Sequence, residues 1–176
     1  MGKHVKNISK SEVLGGDLLI LVTLGTQLQS FDRLLRYVER SGIEDEIIVQ
    51  AGHTKYNSNV MRIFDFISYD EMNALIDRAN FVITHGGTGS ILTPLKKGKK
   101  VIACPRLKKY GEHVDDHQTE IVAAFVQRGH ILALETEDED FSEVISRVRH
   151  FQPKTFISNT EYFIYKLRKE INQYLV

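Results

Sequence analysis

The segment with the clearest chemical potential is HGGTGS at residues 85–90, in which three glycines occupy four positions. Glycine lets a backbone turn tightly and approach a ligand without an intervening Cβ. The segment leads into a helical pattern, and the first N–H groups of a helix are unpaired and lie at the positive end of its dipole. These features predict a binding site for a phosphate or diphosphate, with further hydroxyl donors from Thr88 and Ser90.

Two common phosphate-binding motifs do not fit this segment. No Gly-Lys-Ser/Thr follows the glycines, and Leu92 stands where the third glycine of G-x-G-x-x-G belongs. A tight strand-to-helix turn without a ligand therefore stays open as an alternative, because such turns are common in α/β folds. The segment GTQ at 25–27 is a second, weaker candidate of the same kind, and its alternative is a simple turn.

Charged residues concentrate in the segment 96–109, which holds seven Lys or Arg residues and no acid. A basic rim next to a phosphate site attracts an anionic substrate. Arg106 is the candidate for phosphate contact, because its planar guanidinium suits phosphate geometry. Lys96, Lys97 and Lys99 are more simply explained as the solvated end of a helix.

The segment 112–118 brings together acids, histidines and an amide. Asp115 and Gln118 have the spacing of a helix capping box, and His117 and Gln118 are predicted to project from the first helical turn into a ligand crevice. His113 and His117 lie four residues apart, which leaves a metal hydrolase open, but the H-E-x-x-H pattern is absent and no metal site is predicted. No nucleophile–histidine arrangement stands out, and Cys104 in its apolar strand is interpreted as a small buried residue.

The composition of the chain limits the number of domains and the class of protein. The chain has 176 residues, a formal net charge of +0 and 42% hydrophobic residues, which favours one globular domain without a nucleic-acid surface. Its apolar stretches are far shorter than the ~20 residues of a membrane span. One cysteine and no secretory signal at the N-terminus predict a cytoplasmic protein.

Apolar stretches and helical patterns alternate along the chain after a polar segment, 1–17, that we predict to be a flexible extension. Strands are predicted at 18–22, 46–50, 61–67, 81–84, 101–104 and 131–134. Helices are predicted at 30–40, 68–77, 90–97, 116–128, 141–148 and 161–175. Alternating strands and helices predict a doubly wound, Rossmann-like parallel α/β sheet, in which ligands bind at the carboxyl ends of the strands.

Three motifs occur in an order and spacing that resemble a known family: VTLGT at 22–26, THGGTGSI at 84–91 and PRLKKYGEHVDDHQTE at 105–120. They resemble the soluble subunit of two-component glycosyltransferases. This group includes bacterial capsule and exopolysaccharide enzymes and the eukaryotic dolichol-linked N-acetylglucosaminyltransferase, and the GEHVDDHQ wording points to the bacterial branch. The resemblance implies a single GT-B C-terminal-type half-domain of the family 28 kind, covering 18–176.

The resemblance also implies roles for individual residues. The glycine-rich segment and the helix after it hold the UDP diphosphate, and the His-Gln pair contacts the donor sugar. Thr93, followed by Pro94, stands where relatives often place an acid for the ribose hydroxyls, so selectivity for uridine is less strongly implied than diphosphate binding. The expected substrate-binding residues are Gly25, Thr26, Gln27, His85, Gly86, Gly87, Thr88, Gly89, Ser90, Thr93, Arg106, His117 and Gln118.

The function expected from this resemblance is inverting, metal-independent transfer of a hexose from a UDP-sugar to an undecaprenyl-diphosphate-linked acceptor, with no cofactor. A membrane-anchored, acceptor-binding partner subunit holds the protein at the inner face of the plasma membrane. His113 or Glu112 is the candidate base, unless the partner supplies it. The apolar stripe of the last helix either packs on the domain, which is the default, or contacts the partner. The alternative function is a non-catalytic subunit that binds donor sugar and enhances a catalytic partner.

Overall fold

The computed structural model describes residues 19–134 and 140–174, and within them six parallel strands form one sheet. The strand order is β3-β2-β1-β4-β5-β6, the arrangement of a Rossmann-like fold, which confirms the predicted doubly wound α/β architecture. The order reverses between the neighbouring strands β1 and β4. The strands are β1 (Leu19–Thr23), β2 (Glu46–Gln50), β3 (Met61–Phe64), β4 (Phe81–His85), β5 (Lys100–Cys104) and β6 (Leu132–Ala133).

Helices connect the strands and cover both faces of the sheet. Ser68 and Glu71 form the predicted capping box at the start of the second helix, each side chain bonded to the other residue's backbone N–H. The helices are α1 (Asp32–Arg40), α2 (Tyr69–Arg78), α3 (Thr88–Lys96), α4 (His117–Gln127), α5 (Phe141–His150) and α6 (Thr160–Gln173). A short 3₁₀ turn, Lys108–Tyr110, lies in the loop after β5 and has no counterpart among the predicted elements.

The core divides between the two faces of the sheet. On one face, α1 and α5 pack on the strands, with Phe31, Leu35 and Val144 completely buried. On the other face, α2 packs through Leu75 and Ile76, while Ile91 of α3 lies in a third cluster. The carboxyl edge of the sheet is therefore bordered by different helices on its two sides.

Some predicted boundaries were wrong. The third strand ends at Phe64 and not at residue 67, and the residues that follow border a cavity described below. The default prediction that the last helix packs on the domain is also wrong, because every residue of α6 is exposed, with Phe163 61% and Leu167 47% accessible. The predicted extension, 1–17, lies outside the described residues. No described helix combines the length and apolarity that crossing a bilayer requires.

Candidate functional site

A cavity of about 400 Å³ lies at the carboxyl edge of the sheet, on the side of α2 and α3. It sits beside β1 and β4, where the strand order reverses and where ligands bind in open α/β sheets. Its walls come from the loops after β1 and β3 and from the starts of α2 and α3. Five predicted binding residues line it, namely Gly25, Thr26, Gly89, Ser90 and Thr93.

The start of α3 borders this cavity without a capping side chain. The first helical hydrogen bond runs from the N–H of Ile91 to the carbonyl of Gly87, so the N–H groups of Thr88, Gly89 and Ser90 precede the internal bonding of the helix. A Cβ added at Gly89 would meet no protein atom within 4 Å. Protein packing therefore does not require glycine at this position. The absence of a side chain at Gly89 leaves space that a ligand can occupy.

His85 ends β4 and holds two glycine turns in place. A Cβ at Gly25 would lie 2.6 Å from the His85 ring, and a Cβ at Gly87 would also collide with that ring. The ring is close to the Thr23 carbonyl, with Nδ1 3.4 Å from the oxygen. Burial lowers the pKa of His85 to about 4, partly offset by the hydrogen bond with the Thr23 carbonyl and aided by the charge of Arg106. At neutral pH His85 is therefore uncharged, and its ring packs between the turns at Gly25 and Gly87.

The turn after β1 is held in place by Gln50, the last residue of β2, and by the loop that follows it. Gly25 has a φ of 76°, and its N–H and carbonyl both bond to the side-chain amide of Gln50, at 3.2 and 3.0 Å. A Cβ on Gly52 would collide with the Gly25 carbonyl oxygen, and Thr54 accepts a hydrogen bond from the N–H of Phe31. No sequence motif marked these supporting residues, although Gln50 is a polar residue at the buried end of an apolar strand.

The other side of the carboxyl edge holds a buried ion pair. Glu112, 3% exposed, receives Nε and Nη2 of Arg33 on its two carboxylate oxygens, at 2.8 and 2.7 Å. Its Oε2 also accepts the N–H of Leu107. Burial opposes the charged form of Arg33, but the hydrogen bonds and attraction of Glu112 outweigh it and raise its pKa. This burial and ion pairing count against the predicted role of Glu112 as the catalytic base, since its carboxylate already accepts three hydrogen bonds inside the protein.

Arg106 does not face the cavity either. It is 1% exposed, and its guanidinium donates to the carbonyls of Gln29, Leu24 and Glu112 while lying 4.7 Å above the ring of Phe31. Burial lowers its pKa to about 10, partly offset by the charge of Glu112. This position counts against the predicted phosphate contact, because Arg106 does not line the cavity and three backbone carbonyls accept from its Nη1 and Nη2, although its buried Nε has no hydrogen-bond partner among the described residues.

The His-Gln pair divides between two environments. Gln118 is buried, and its Oε1 accepts the N–H groups of Gly86 and Arg106, both at 3.1 Å. Gln118 therefore does not form the predicted capping box, and Asp116 begins α4 without a side-chain cap. His117 has a 66% exposed side chain beside Glu120 and does not line the cavity, contrary to the prediction.

The remaining predicted residues also lie outside the cavity walls, and these include His85, Gly86, Gly87 and Thr88. His113 is mostly buried, and its Nδ1 lies within hydrogen-bond distance of the backbone of Asp115. Gln27 is partly buried in the loop after β1 and does not line the cavity. In the described ranges 19–134 and 140–174, no group of three or more metal-ligating side chains occurs.

The basic segment 96–109 does not form a rim around the cavity. Lys97 pairs with Asp77 at 2.7 Å, and Lys99 donates to backbone carbonyls of Asp77 and Ala79. Lys99 and Lys100 stand at the amino end of β5, which is the opposite edge of the parallel sheet. Lys97, Lys99 and Lys100 are therefore either bonded within the protein or remote from the cavity, whereas Lys108 and Lys109 lie in the loop after β5 and do not line the cavity.

Comparisons with known proteins agree with this architecture. The model of the "Glycosyltransferase family 28 C-terminal domain" matches residues 19–173. A "UDP-N-acetylglucosamine transferase subunit ALG13" from Candida glabrata is 30% identical over 126 residues, covering 70% of this chain and 60% of the relative. One from Yarrowia lipolytica is 28% identical, covering 65% of this chain and 57% of its own length. The chain thus spans about three fifths of these two relatives.

Solved structures show the same fold. The solution structure of an ALG13 protein superimposes with a TM-score of 0.55 and 21% identity, covering 84% of this chain and 93% of that one. The spinosyn rhamnosyltransferase SpnG reaches a TM-score of 0.61 at 15% identity, with 82% of this chain and 40% of that protein covered. The likeness to SpnG spans one part of a longer glycosyltransferase. The chain belongs to the glycosyltransferase family 28 C-terminal domain family.

Proposed function

We propose that this protein is the nucleotide-sugar-binding subunit of a glycosyltransferase. The observation that carries the proposal is the uncapped start of α3, with its open space at Gly89, at the border of the cavity. Helix N-termini of this kind bind phosphate groups through backbone N–H donors and the helix dipole. Family membership supports a nucleoside diphosphate as the bound group, and the names of the ALG13 relatives support uridine in particular.

The proposed reaction is inverting transfer of a hexose, such as galactose or N-acetylglucosamine, from the UDP-sugar to a hydroxyl of an undecaprenyl-diphosphate-linked saccharide. As the bond between the sugar and the diphosphate breaks, negative charge grows on UDP. N–H donors already aimed at that position stabilise the charge without rearrangement. This electrostatic contribution is how the chain promotes departure of UDP without a metal ion in our proposal.

A base must take the proton of the acceptor hydroxyl. With Glu112 committed to Arg33, His113 is the one candidate base that we retain from this chain. The buried position of Glu112 also favours the second candidate function, in which a partner subunit supplies the base and this chain supplies donor binding. An assay that contains both subunits distinguishes the two functions. If His113 is the base, His113→Ala is expected to abolish transfer. If the partner supplies the base, the variant is expected to transfer at a rate within about tenfold of wild type.

The exposed helix α6 is the surface that we propose for the partner. Phe163, Leu167 and Ile171 recur on one stripe of the helix, and all three are exposed. The partner in this proposal is a membrane-anchored subunit that binds the acceptor in a bacterial capsule or exopolysaccharide system, at the inner face of the plasma membrane. Leu167→Asp is expected to abolish co-purification with that subunit and to leave the folded domain intact.

Calorimetric titration with UDP tests the proposed function. The wild-type chain is expected to bind UDP, and Gly89→Val is expected to weaken binding at least about 30-fold, because the new side chain occupies the ligand's space. Lys96→Ala, at the far end of the same helix, is the matched control and should bind like wild type. Unchanged melting temperatures would show that both variants are folded. Equal UDP affinity of Gly89→Val and wild type would contradict the proposal.

A further inference from the structure

The side chain of Gln50 joins two loops that border the cavity. It is buried, and its Oε1 accepts the N–H of Gly25 at 3.2 Å. Its Nε2 donates to the carbonyl of Gly25 at 3.0 Å and to the carbonyl of Asp65 at 3.2 Å. The next residues along the chain, Thr26 and Phe66, both line the cavity. One buried amide therefore fixes two walls of the cavity relative to each other.

The bonds to Gly25 set the direction of the next N–H group along the chain. The Gly25 carbonyl accepts from Gln50, and a Cβ on Gly52 would lie 2.3 Å from its oxygen. In a planar trans peptide the carbonyl and the N–H point in opposite directions, and no cis peptide bond occurs among the described residues. The N–H of Thr26 therefore points away from Gln50 and Gly52. Within the described part of the chain no group accepts a hydrogen bond from it, and Thr26 is exposed.

The two ends of this loop are held without the side chain of Gln50. Arg106 donates to the carbonyl of Leu24 at 2.9 Å and to that of Gln29 at 2.8 Å. The N–H of Leu24 bonds to the main-chain carbonyl of Gln50, which any substitution at that position keeps. Loss of the Gln50 amide should therefore free the peptide after Gly25 and leave the loop attached at both ends.

We infer that Gln50 is a positioning residue, which holds the peptide between Gly25 and Thr26 so that the Thr26 N–H is a further donor for the anion that binds at the start of α3. This inference rests on the proposed function, because it assumes that a nucleoside diphosphate occupies the cavity. A peptide that is free in the unbound protein must be ordered when the ligand binds, which weakens binding. An oriented N–H donor contributes more when its acceptor is charged, as a phosphate oxygen is.

Calorimetric titration of the full chain with UDP tests the role of the amide. Gln50→Met removes the amide at nearly the same side-chain length and is expected to bind UDP at least about tenfold more weakly than wild type. Val144→Ala is the matched control, because it leaves a void in the core on the opposite face of the sheet and lowers the melting temperature. The control should bind UDP like wild type.

Two failures of this titration have different meanings. Binding of UDP by Gln50→Met within about threefold of wild type would overturn the inference and leave the proposed function standing. Failure of the wild-type chain to bind UDP would overturn the proposed function, and this inference with it.

Amide chemical shifts separate positioning from a general loss of structure. In the ¹⁵N-labelled wild-type chain, UDP is expected to shift the amide of Thr26 together with those at the start of α3. In Gln50→Met at saturating UDP, the shift of Thr26 should be lost and the shifts at α3 should persist. A proportional reduction at both places would overturn the inference. An unresponsive Thr26 in the wild-type chain, with α3 responding, would also overturn it, and this result does not depend on the folding of any variant.

Discussion

The two sides of the carboxyl edge use charge in opposite ways. On the side of α1, Arg33 and Glu112 form a buried ion pair, and Arg106 donates to three backbone carbonyls. On the side of α2 and α3, the cavity is lined by uncharged residues and bordered by an uncapped helix start. The charged side holds the loops together, whereas the neutral side leaves its donors free for a ligand.

This difference implies that one side of the edge contributes to folding stability and the other to ligand binding. A charge buried without its partner is costly, so the charged side must stay intact for the loop after β5 to keep its shape. Backbone N–H groups at a helix start keep their water in the free protein and exchange it for a ligand oxygen. Changes on the charged side should therefore affect the free energy of unfolding, and changes at α3 should affect ligand affinity.

The largest effect is expected from Glu112→Ala, which leaves Arg33 buried without its carboxylate. We expect the free energy of unfolding to fall by about 3–5 kcal/mol, measured by urea denaturation. Asp32→Ala is the matched control, because Asp32 pairs with Arg36 at the exposed surface of α1, the helix that also contains Arg33. Loss of this exposed pair should lower the free energy of unfolding by no more than about 1 kcal/mol. Similar losses in the two variants would contradict the structural role of Glu112.

The next effect concerns pH and His85. The unfolded chain protonates this histidine below about pH 6.5, whereas burial lowers its pKa to about 4 in the folded protein. Protons therefore favour the unfolded state, and the stability contributed by neutral His85 is complete above pH 6.5 and is lost as the pH falls towards 4. The slope is at most about 1.4 kcal/mol per pH unit. Comparison with His85→Gln isolates it, and equal pH profiles would show that the ring is not buried as described.

A smaller effect is expected from Gln118→Ala, because the Gln118 side chain links the two sides of the carboxyl edge. Its loss removes the shared acceptor of the N–H groups of Gly86 and Arg106 and should cost about 1–3 kcal/mol of folding stability. Thr119→Ala, at the exposed neighbouring position, is the control and should be close to neutral. A neutral Gln118→Ala would mean that water replaces the amide oxygen at both donors.

The fold followed from the sequence because its strongest signals are local. Apolar stretches between helical patterns predicted the parallel sheet, and the Ser68–Glu71 spacing predicted a capping box that the structure confirms. The glycine-rich segment likewise predicted the loop at the start of α3. In each case the sequence signal lies within a few residues along the chain.

The roles of Arg106 and Glu112 were not predictable in this way. Spacing shows that charges are close in sequence, but the partner of Glu112 is Arg33, 79 positions away. The wall formed by Phe66 and Met72 was also missed, because it depends on where β3 ends and how α2 packs. Apolar residues that line a cavity carry the same pattern as residues that fill a core.

The central claim is that free N–H groups at the first turn of α3 bind a diphosphate. Amide chemical shifts of ¹⁵N-labelled protein during titration with UDP test it most directly. The account predicts that the largest shifts fall on Thr88, Gly89 and Ser90. Largest shifts in the loop around Arg106 and Glu112, with α3 unaffected, would contradict it.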